Sequence, residues 1–304
     1  MPSTFTVHEV TSGVWAAIAP GTSGPAVSNA AIVDLGDKTI VVDTFMTAVA
    51  AEELAGEVRR LTGRAPFMVV NSHWHSDHVR GNHVFGQVPI VGTALMRELM
   101  IEDAPETPDE FTRRAVAVKE FADGLAAAAT TPEQQLQAAH TAALADALAA
   151  EAGTYRLVLP DVVIGDRLDI EGERSATILG FGRGHTASDL FVHLPDDGIV
   201  IAADLVWTGI HPKTTDGFPA DWARVLDRLS ALGPGSVVPG HGNPGTAADI
   251  VAMAAYLREL DAMVAAARRG DLDPAGADPP SDSDDWQDVT RFRHGLAALA
   301  GRSD

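Results

Sequence analysis

Between Phe67 and His78 the chain passes from a short apolar run, Phe67-Met68-Val69-Val70, into the hexad His73-Trp74-His75-Ser76-Asp77-His78. The apolar run reads as a buried strand, so the hexad has to sit where that strand leaves the core. Residues one and two apart do not share a helical face, so this spacing fits a loop better than a helix. Neutral imidazole and carboxylate are ligands for zinc and its neighbours among the divalent metals. The hexad therefore reads as a metal site on a strand-end loop, against the alternative of a His-rich solvated turn.

Three later residues have the same context. His185 lies in Gly182-Arg183-Gly184-His185-Thr186, between the strand-like runs Ala176 to Phe181 and Leu190 to Leu194. Asp204 follows the apolar run Ile199-Val200-Ile201-Ala202-Ala203, and His241 lies in Pro239-Gly240-His241-Gly242 after Ser236-Val237-Val238. Each is a potential ligand at a predicted strand end, beside Gly or Pro that permits a tight loop. With the hexad they supply enough imidazoles and carboxylates for two metals.

In this order the residues resemble the metallo-β-lactamase fold superfamily of metallohydrolases, over roughly Val7 to His241. The resemblance implies an αββα four-layer α/β sandwich with ligands on loops along one edge. It implies that His73, His75 and His185 hold one zinc, that Asp77, His78 and His241 hold a second, and that Asp204 bridges the pair. Two Zn2+ per chain is the resulting cofactor expectation. True β-lactamase subclasses carry Cys or Ser where this chain has Asp204, and the chain has no cysteine. The Asp is similar to the branch that includes glyoxalase II-type thioesterases and lactonases. After the last histidine of the motif the family often reads x-Gly-Gly-Asn, whereas here the residues are Val79-Arg80-Gly81-Asn82.

Composition narrows the partners. At 304 residues, with 46% hydrophobic and 21% charged residues, the chain has the make-up of a soluble globular protein with a large core. A formal charge of −20 argues against nucleic acid and anionic membranes, both of which need a positive surface. No apolar run approaches the roughly twenty residues of a membrane helix, and the amino terminus lacks the pattern of a signal peptide. The expectation is a cytoplasmic enzyme acting on a small molecule. Without cysteine there are neither disulfides nor thiolate ligands.

The pattern predicts a metallohydrolase domain over residues 1–269, with a helical insertion at about 93–154, then an acidic linker and terminal helix over 270–304. Strands are expected around Val14 to Ile18, Ala30 to Asp34 and Thr39 to Asp43, the last two joined through Gly36-Asp37. Val49, Leu54, Val58 and Leu61 mark a helix from Thr47 to Thr62. The insertion is rich in Ala, Leu, Glu and Gln, is broken by Pro105, Pro108 and Pro132, and reads as two or three helices. Thr131-Pro132-Glu133-Gln134 has the form of a capping box with proline at the first helical position. A surface spacer, a lid and a dimer contact all fit the insertion, and a homo-oligomer through it or the terminal helix stays open.

Two metals at one site polarise a carbonyl and hold a hydroxide nucleophile at neutral pH, without Ser or Cys. Asp77 is the catalytic candidate, as a ligand whose second oxygen orients the attacking hydroxide. Hydrolysis of an ester, thioester, lactone or amide is the expected reaction, with β-lactamase-like activity or a non-catalytic metal-binding module as alternatives. An iron-containing oxygen- or nitric-oxide-handling relative ranks lower, because no flavin domain follows His241. Trp207, His211 and Lys213 are candidates for substrate contacts, against ordinary core or solvated-loop positions. Asp189 is a candidate to orient a ligand. His8, His83, His140, His193 and His294 lack any comparable context.

Overall fold

The Gly-punctuated start of the chain becomes an antiparallel meander of β1 (Thr6–Thr11), β2 (Val14–Ile18), β3 (Ala30–Asp34) and β4 (Thr39–Val42). In the β3–β4 turn Gly36 has φ 91°, and its N–H donates to the Asp34 carboxylate over 3.0 Å. The computed structural model describes residues 2–103 and 108–302. Two compact units make up the chain, Met1–Ile164 and Gly165–Asp304.

In the first unit the meander continues into parallel strands. Helix α1 (Ala48–Thr62) carries the chain from β4 to β5 (Met68–Val70), which pairs parallel with both β4 and β6 (Ile90–Gly92). Thr47 caps α1 by accepting from the Ala50 N–H, and Gly63 closes it in the left-handed conformation at φ 71°. The buried face of α1 carries Ala50, Ala51, Leu54 and Val58. Val49, expected on that face, is 40% exposed, because the stripe is set by Ala50 and Ala51 instead. Beyond β5 lie a one-turn helix α2 (Ser76–Val79) and a 3-10 helix, Arg80–Phe85.

The insertion forms α3 (Ala94–Asp103), α4 (Pro108–Ala128) and α5 (Pro132–Glu151); Pro105 lies outside the described residues. The capping box at Thr131 and Gln134 is present in both directions. Phe111, Ala115 and Leu148 bury a small core of their own against Met46 and Tyr155, while Val116, Phe121 and Leu136 stay exposed. Strand β7 (Val162–Val163) then completes a seven-stranded sheet in the order β1-β2-β3-β4-β5-β6-β7.

The second unit has its own sheet. Strands β8 (Arg167–Ile170), β9 (Ala176–Leu179), β10 (Phe191–Leu194) and β11 (Ile199–Trp207) pair antiparallel in sequence. Helix α6 (Pro219–Ser230) crosses to β12 (Ser236–His241), which pairs parallel with β11 and antiparallel with β13 (Gly245–Thr246). The sheet has six strands, in the order β13-β12-β11-β10-β9-β8.

Helix α7 (Ala247–Arg269) starts in a capping box at Thr246 and Asp249 and ends at Gly270 in the left-handed conformation; α8 (Val289–Gly301) ends the described chain. Trp222, Leu226, Leu257 and Leu296, from three helices, are all fully buried in the same core as β11. The acidic stretch before α8 is anchored, with Ala277 and Ser283 buried and the Ala277 carbonyl accepting from Arg293 over 3.0 Å. The fold class is the expected α/β one, each unit supplying a sheet layer and a helix layer. No helix among the described residues is long and apolar enough to cross a membrane.

The burial pattern of α1 gives a direct test. Leu54→Ala should cost about 2–5 kcal/mol in denaturant unfolding, and Val49→Ala less than about 1 kcal/mol. Equal losses would place the buried face wrongly.

Candidate metal centre

In the first unit the hexad straddles two kinds of backbone. His73 and His75 lie on the loop after β5, whereas Asp77 and His78 lie in α2, whose N-cap position is His75. The expectation of a pure loop is corrected to that extent: one helical turn brings His78 back beneath His73. The ring centroids of His73 and His78 are 4.3 Å apart, and those of His73 and His75 4.7 Å apart. All three imidazoles are buried. Ligating atoms of His73 and His75 come within 4.8 Å of each other, as do those of Asp77 and His78.

Asp43, one residue beyond β4, organises this cluster, and sequence reasoning missed it. Its Oδ1 accepts from the Ser72 N–H over 2.8 Å, and its Oδ2 from the Ser72 hydroxyl over 2.7 Å. The same Oδ2 lies 2.7 Å from His78 Nδ1, and Ser72 Oγ lies 2.9 Å from His73 Nδ1. With Nδ1–H of His78 donating to Asp43, the Nε2 lone pair is the one left for a metal. Asp43 holds φ at 63°, an uncommon value for a residue with a side chain and one that Asp tolerates better than most. The only sequence signal was an Asp at the end of an apolar strand.

The ends of β4 and β5 are tied by amides. Asn82 donates to Asn71 Oδ1 over 2.8 Å and accepts from Asn71 Nδ2 over 3.0 Å, while Thr44 Oγ1 donates to Asn82 Oδ1 over 3.0 Å. Gly81 packs so closely on β4's exit that a Cβ there would collide with the Thr44 carbonyl and lie 2.6 Å from Ala51 Cβ. Arg80 is buried with its Cζ 4.4 Å from the Phe111 ring centroid and 4.6 Å from that of Tyr155. That burial lowers the guanidinium pKa from its ordinary value.

In the second unit His185 and Asp204 face each other, with His185 Nε2 3.1 Å from Asp204 Oδ2. The other carboxylate oxygen, Oδ1, lies 3.5 Å from His241 Nε2. One buried carboxylate thus offers a separate oxygen toward each of two buried imidazoles. Asp204 is aimed by irregular backbone: Ala203 has φ 46°, and the β11–β12 register shifts on both sides of it. Gly240 makes room for the carboxylate, since a Cβ there would collide with Asp204 Oδ1 and lie 2.7 Å from Asp204 N.

Asp189 braces the His185 turn. Its oxygens accept from the Thr186 N–H over 3.0 and 3.1 Å and from the Thr186 hydroxyl over 2.7 Å. Burial pushes its carboxyl up to about 6, against the opposing pull of His185 and the Thr186 hydrogen bonds. Trp222 of α6 meets His185 edge-on at 5.1 Å and donates from Nε1 to the Leu205 carbonyl over 3.0 Å.

The three candidates for substrate contacts take different places. Trp207 is buried and stacks on His241, with ring centroids 3.8 Å apart and planes at 21°. His211 is enclosed, with Nδ1 3.2 Å from the Tyr256 hydroxyl and the rings of Trp286 and Phe292 nearby; burial lowers its pKa. Lys213 pairs with Asp216 over 2.8 Å at the surface.

Residues 23–241 match the Metallo-beta-lactamase superfamily, and the chain belongs to it. A metallo-beta-lactamase from Pontibacter korlensis superposes with a TM-score of 0.61 at 20% identity, covering 84% of this chain and 99% of that one. The FIM-1 metallo-beta-lactamase of Pseudomonas aeruginosa, solved in its mono-zinc form, gives 0.60 at 17% identity over 85% and 96%. A metallo beta lactamase from Hirschia baltica gives 0.59 at 18% identity over 84% and 98%. At these identities the likeness is one of fold. No curated protein matches the chain.

Replacing Asp43 by Asn keeps the tolerance for positive φ but removes the charge behind His78. Metal affinity should fall about 10- to 100-fold with the fold retained, measured by chelator competition and circular dichroism. Unchanged affinity would remove Asp43 from the site.

Proposed function

We propose that the chain is a zinc-dependent hydrolase of small carbonyl compounds (esters, thioesters, lactones or amides), of the superfamily branch with a bridging aspartate. In this reading His73, His75 and His185 hold one zinc, Asp77, His78 and His241 hold a second, and Asp204 is shared. The observation that carries it is the Asp204 carboxylate, with one oxygen toward His185 and the other toward His241. The donor set fits the metal: five buried imidazoles with the carboxylates of Asp77 and Asp204, and no thiolate in the chain.

Bound there, zinc would supply Lewis acidity and lower the pKa of water toward neutrality. The chain's own groups do the rest. Asp43 holds His78 in one tautomer, and Asp189 fixes the loop that carries His185. Asp77 is partly open to solvent, so its second oxygen can orient a water and accept its proton. Formal charge of −20 suits a small uncharged or locally bound substrate better than a polyanion such as nucleic acid.

β-Lactam hydrolysis is the second reading, supported by the family and by solved relatives whose names carry that activity. Asp204 in place of Cys or Ser, in a chain without cysteine, weighs against it.

Metal analysis of the purified protein should give about two zinc per chain, and chelation should abolish hydrolysis. Asp204→Ala should lower metal affinity by at least about 100-fold, whereas His193→Ala, on β10, should change it little. Active protein free of metal, or equal effects of the two substitutions, would overturn the assignment. Across thioester, lactone, aryl ester, phosphodiester and β-lactam substrates, turnover is expected in the first three; efficient β-lactam cleavage would move the second reading to first place.

A further inference from the structure

The segment from Gln287 to Arg302 runs along the loop that leaves β11. Gln287 exchanges backbone hydrogen bonds with it, donating to the Gly209 carbonyl and accepting from the His211 N–H, each over 2.9 Å. Arg302 donates to the Gly217 carbonyl over 2.7 Å. Gly295 of α8 sits so close to Thr214 that a Cβ there would collide with the threonine hydroxyl. The terminal helix is therefore fixed to the stretch that begins at Trp207.

Arg291 of this segment reaches Trp207, the ring stacked on His241. Its Cζ lies over the Trp207 ring, 5.3 Å from the centroid, within cation–π range. The guanidinium is itself held, by Asp288 Oδ2 at 2.9 Å and by the His211 carbonyl at 3.4 Å. Trp207 Nε1 is buried and makes no hydrogen bond, so no polar contact sets the indole's orientation. Its orientation depends on what meets the π system, and His241 stacks there at 3.8 Å.

We propose that Arg291 is a positioning residue for His241, holding Trp207 in the stack that fixes the plane of the imidazole. An imidazole turned out of plane misdirects its lone pair, so a metal ligand is sensitive to what its ring packs against. The inference rests on the proposed function only for the claim that His241 binds metal; the stack itself does not depend on it.

The experiment compares wild type with Arg291→Met, Arg291→Lys and Arg258→Gln, the last a surface variant whose Arg pairs with Asp227. Zinc binding is followed by competition with a chromophoric chelator, and the His241 ring protons by NMR in metal-free protein. Arg291→Met should weaken one of the two zinc equivalents about tenfold, and Arg291→Lys should restore most of it. In the metal-free protein Arg291→Met should move the His241 ring protons away from the shielded positions that stacking on indole imposes. Arg258→Gln should do neither. Unchanged ring shifts in Arg291→Met would overturn the inference, as would equal weakening of both equivalents. Wild-type protein that binds no zinc, with the ring shifts still responding to Arg291, would sink the proposed function and leave the positioning role standing.

Discussion

In the first unit the contact between Asp43 Oδ2 and His78 Nδ1, at 2.7 Å, is the one the rest of the site depends on. A buried imidazole presents a lone pair at one nitrogen only when the proton is fixed on the other. A buried carboxylate in turn is tolerable only with donors around it, and Ser72 supplies two of them. Both requirements meet at a residue with φ 63°, a conformation costing on the order of 1 kcal/mol or more that neighbours must enforce. The Asp43 N–H bonded to the Val70 carbonyl at 2.9 Å does so, and that bond exists because β4 and β5 are parallel neighbours. Sheet order, helix α1 and the imidazole tautomer are in this sense one constraint.

The second unit reaches a comparable result by different means. Asp204 sits inside β11 where the ladder to β12 is irregular, so its side chain is aimed by a backbone distortion. Gly240, on the neighbouring strand, leaves the space the carboxylate fills. His241 is oriented by stacking on Trp207, and His185 by a turn braced by Asp189 and an edge contact from Trp222. In the first unit His73 and His78 are held through hydrogen bonds at Nδ1, whereas in the second aromatic packing has a larger part. A polar substitution around His241 should therefore act through ring orientation more than through proton position.

Much of this was legible in the sequence because it is local. The hexad, the end of β12 at His241, the Thr131 capping box and the α1 boundaries all depend on residues within a few positions of one another, whereas Asp204, expected at a strand end, lies inside β11 because that strand continues to Trp207. What escaped is what the sheet brings together. Asp43 lies 29 residues before Ser72, and nothing near it in sequence announces a partner. Trp222 reaches His185, and Arg291 reaches Trp207, only because α6 and α8 share a core with β11. Val49 was misplaced for a different reason: three of the six buried residues of α1 are the alanines Ala50, Ala51 and Ala55, which a pattern of large apolar residues passes over. His211 looked like a polar loop residue because the rings that enclose it, Tyr256, Trp286 and Phe292, come from later in the chain.

The departure after His78 is explained by sterics. Where the superfamily often has two glycines, this chain has Arg80-Gly81, and the two positions are not equivalent. Gly81 lies against the Thr44 carbonyl and Ala51, so a side chain there would force β4's exit and α1 apart. Position 80 points instead toward the insertion, where Phe111 and Tyr155 flank the guanidinium. Ser76 adds a second link, its hydroxyl donating to Asp103 of α3 over 3.0 Å. Hexad residues thus divide between two sets of neighbours: His73 and His78 are held by Ser72 and Asp43, while Ser76 and the adjoining Arg80 are held by the insertion. The Arg80 side chain is buried against Phe111 of α4 and Tyr155, so the insertion and Arg80 form one packed feature of this chain.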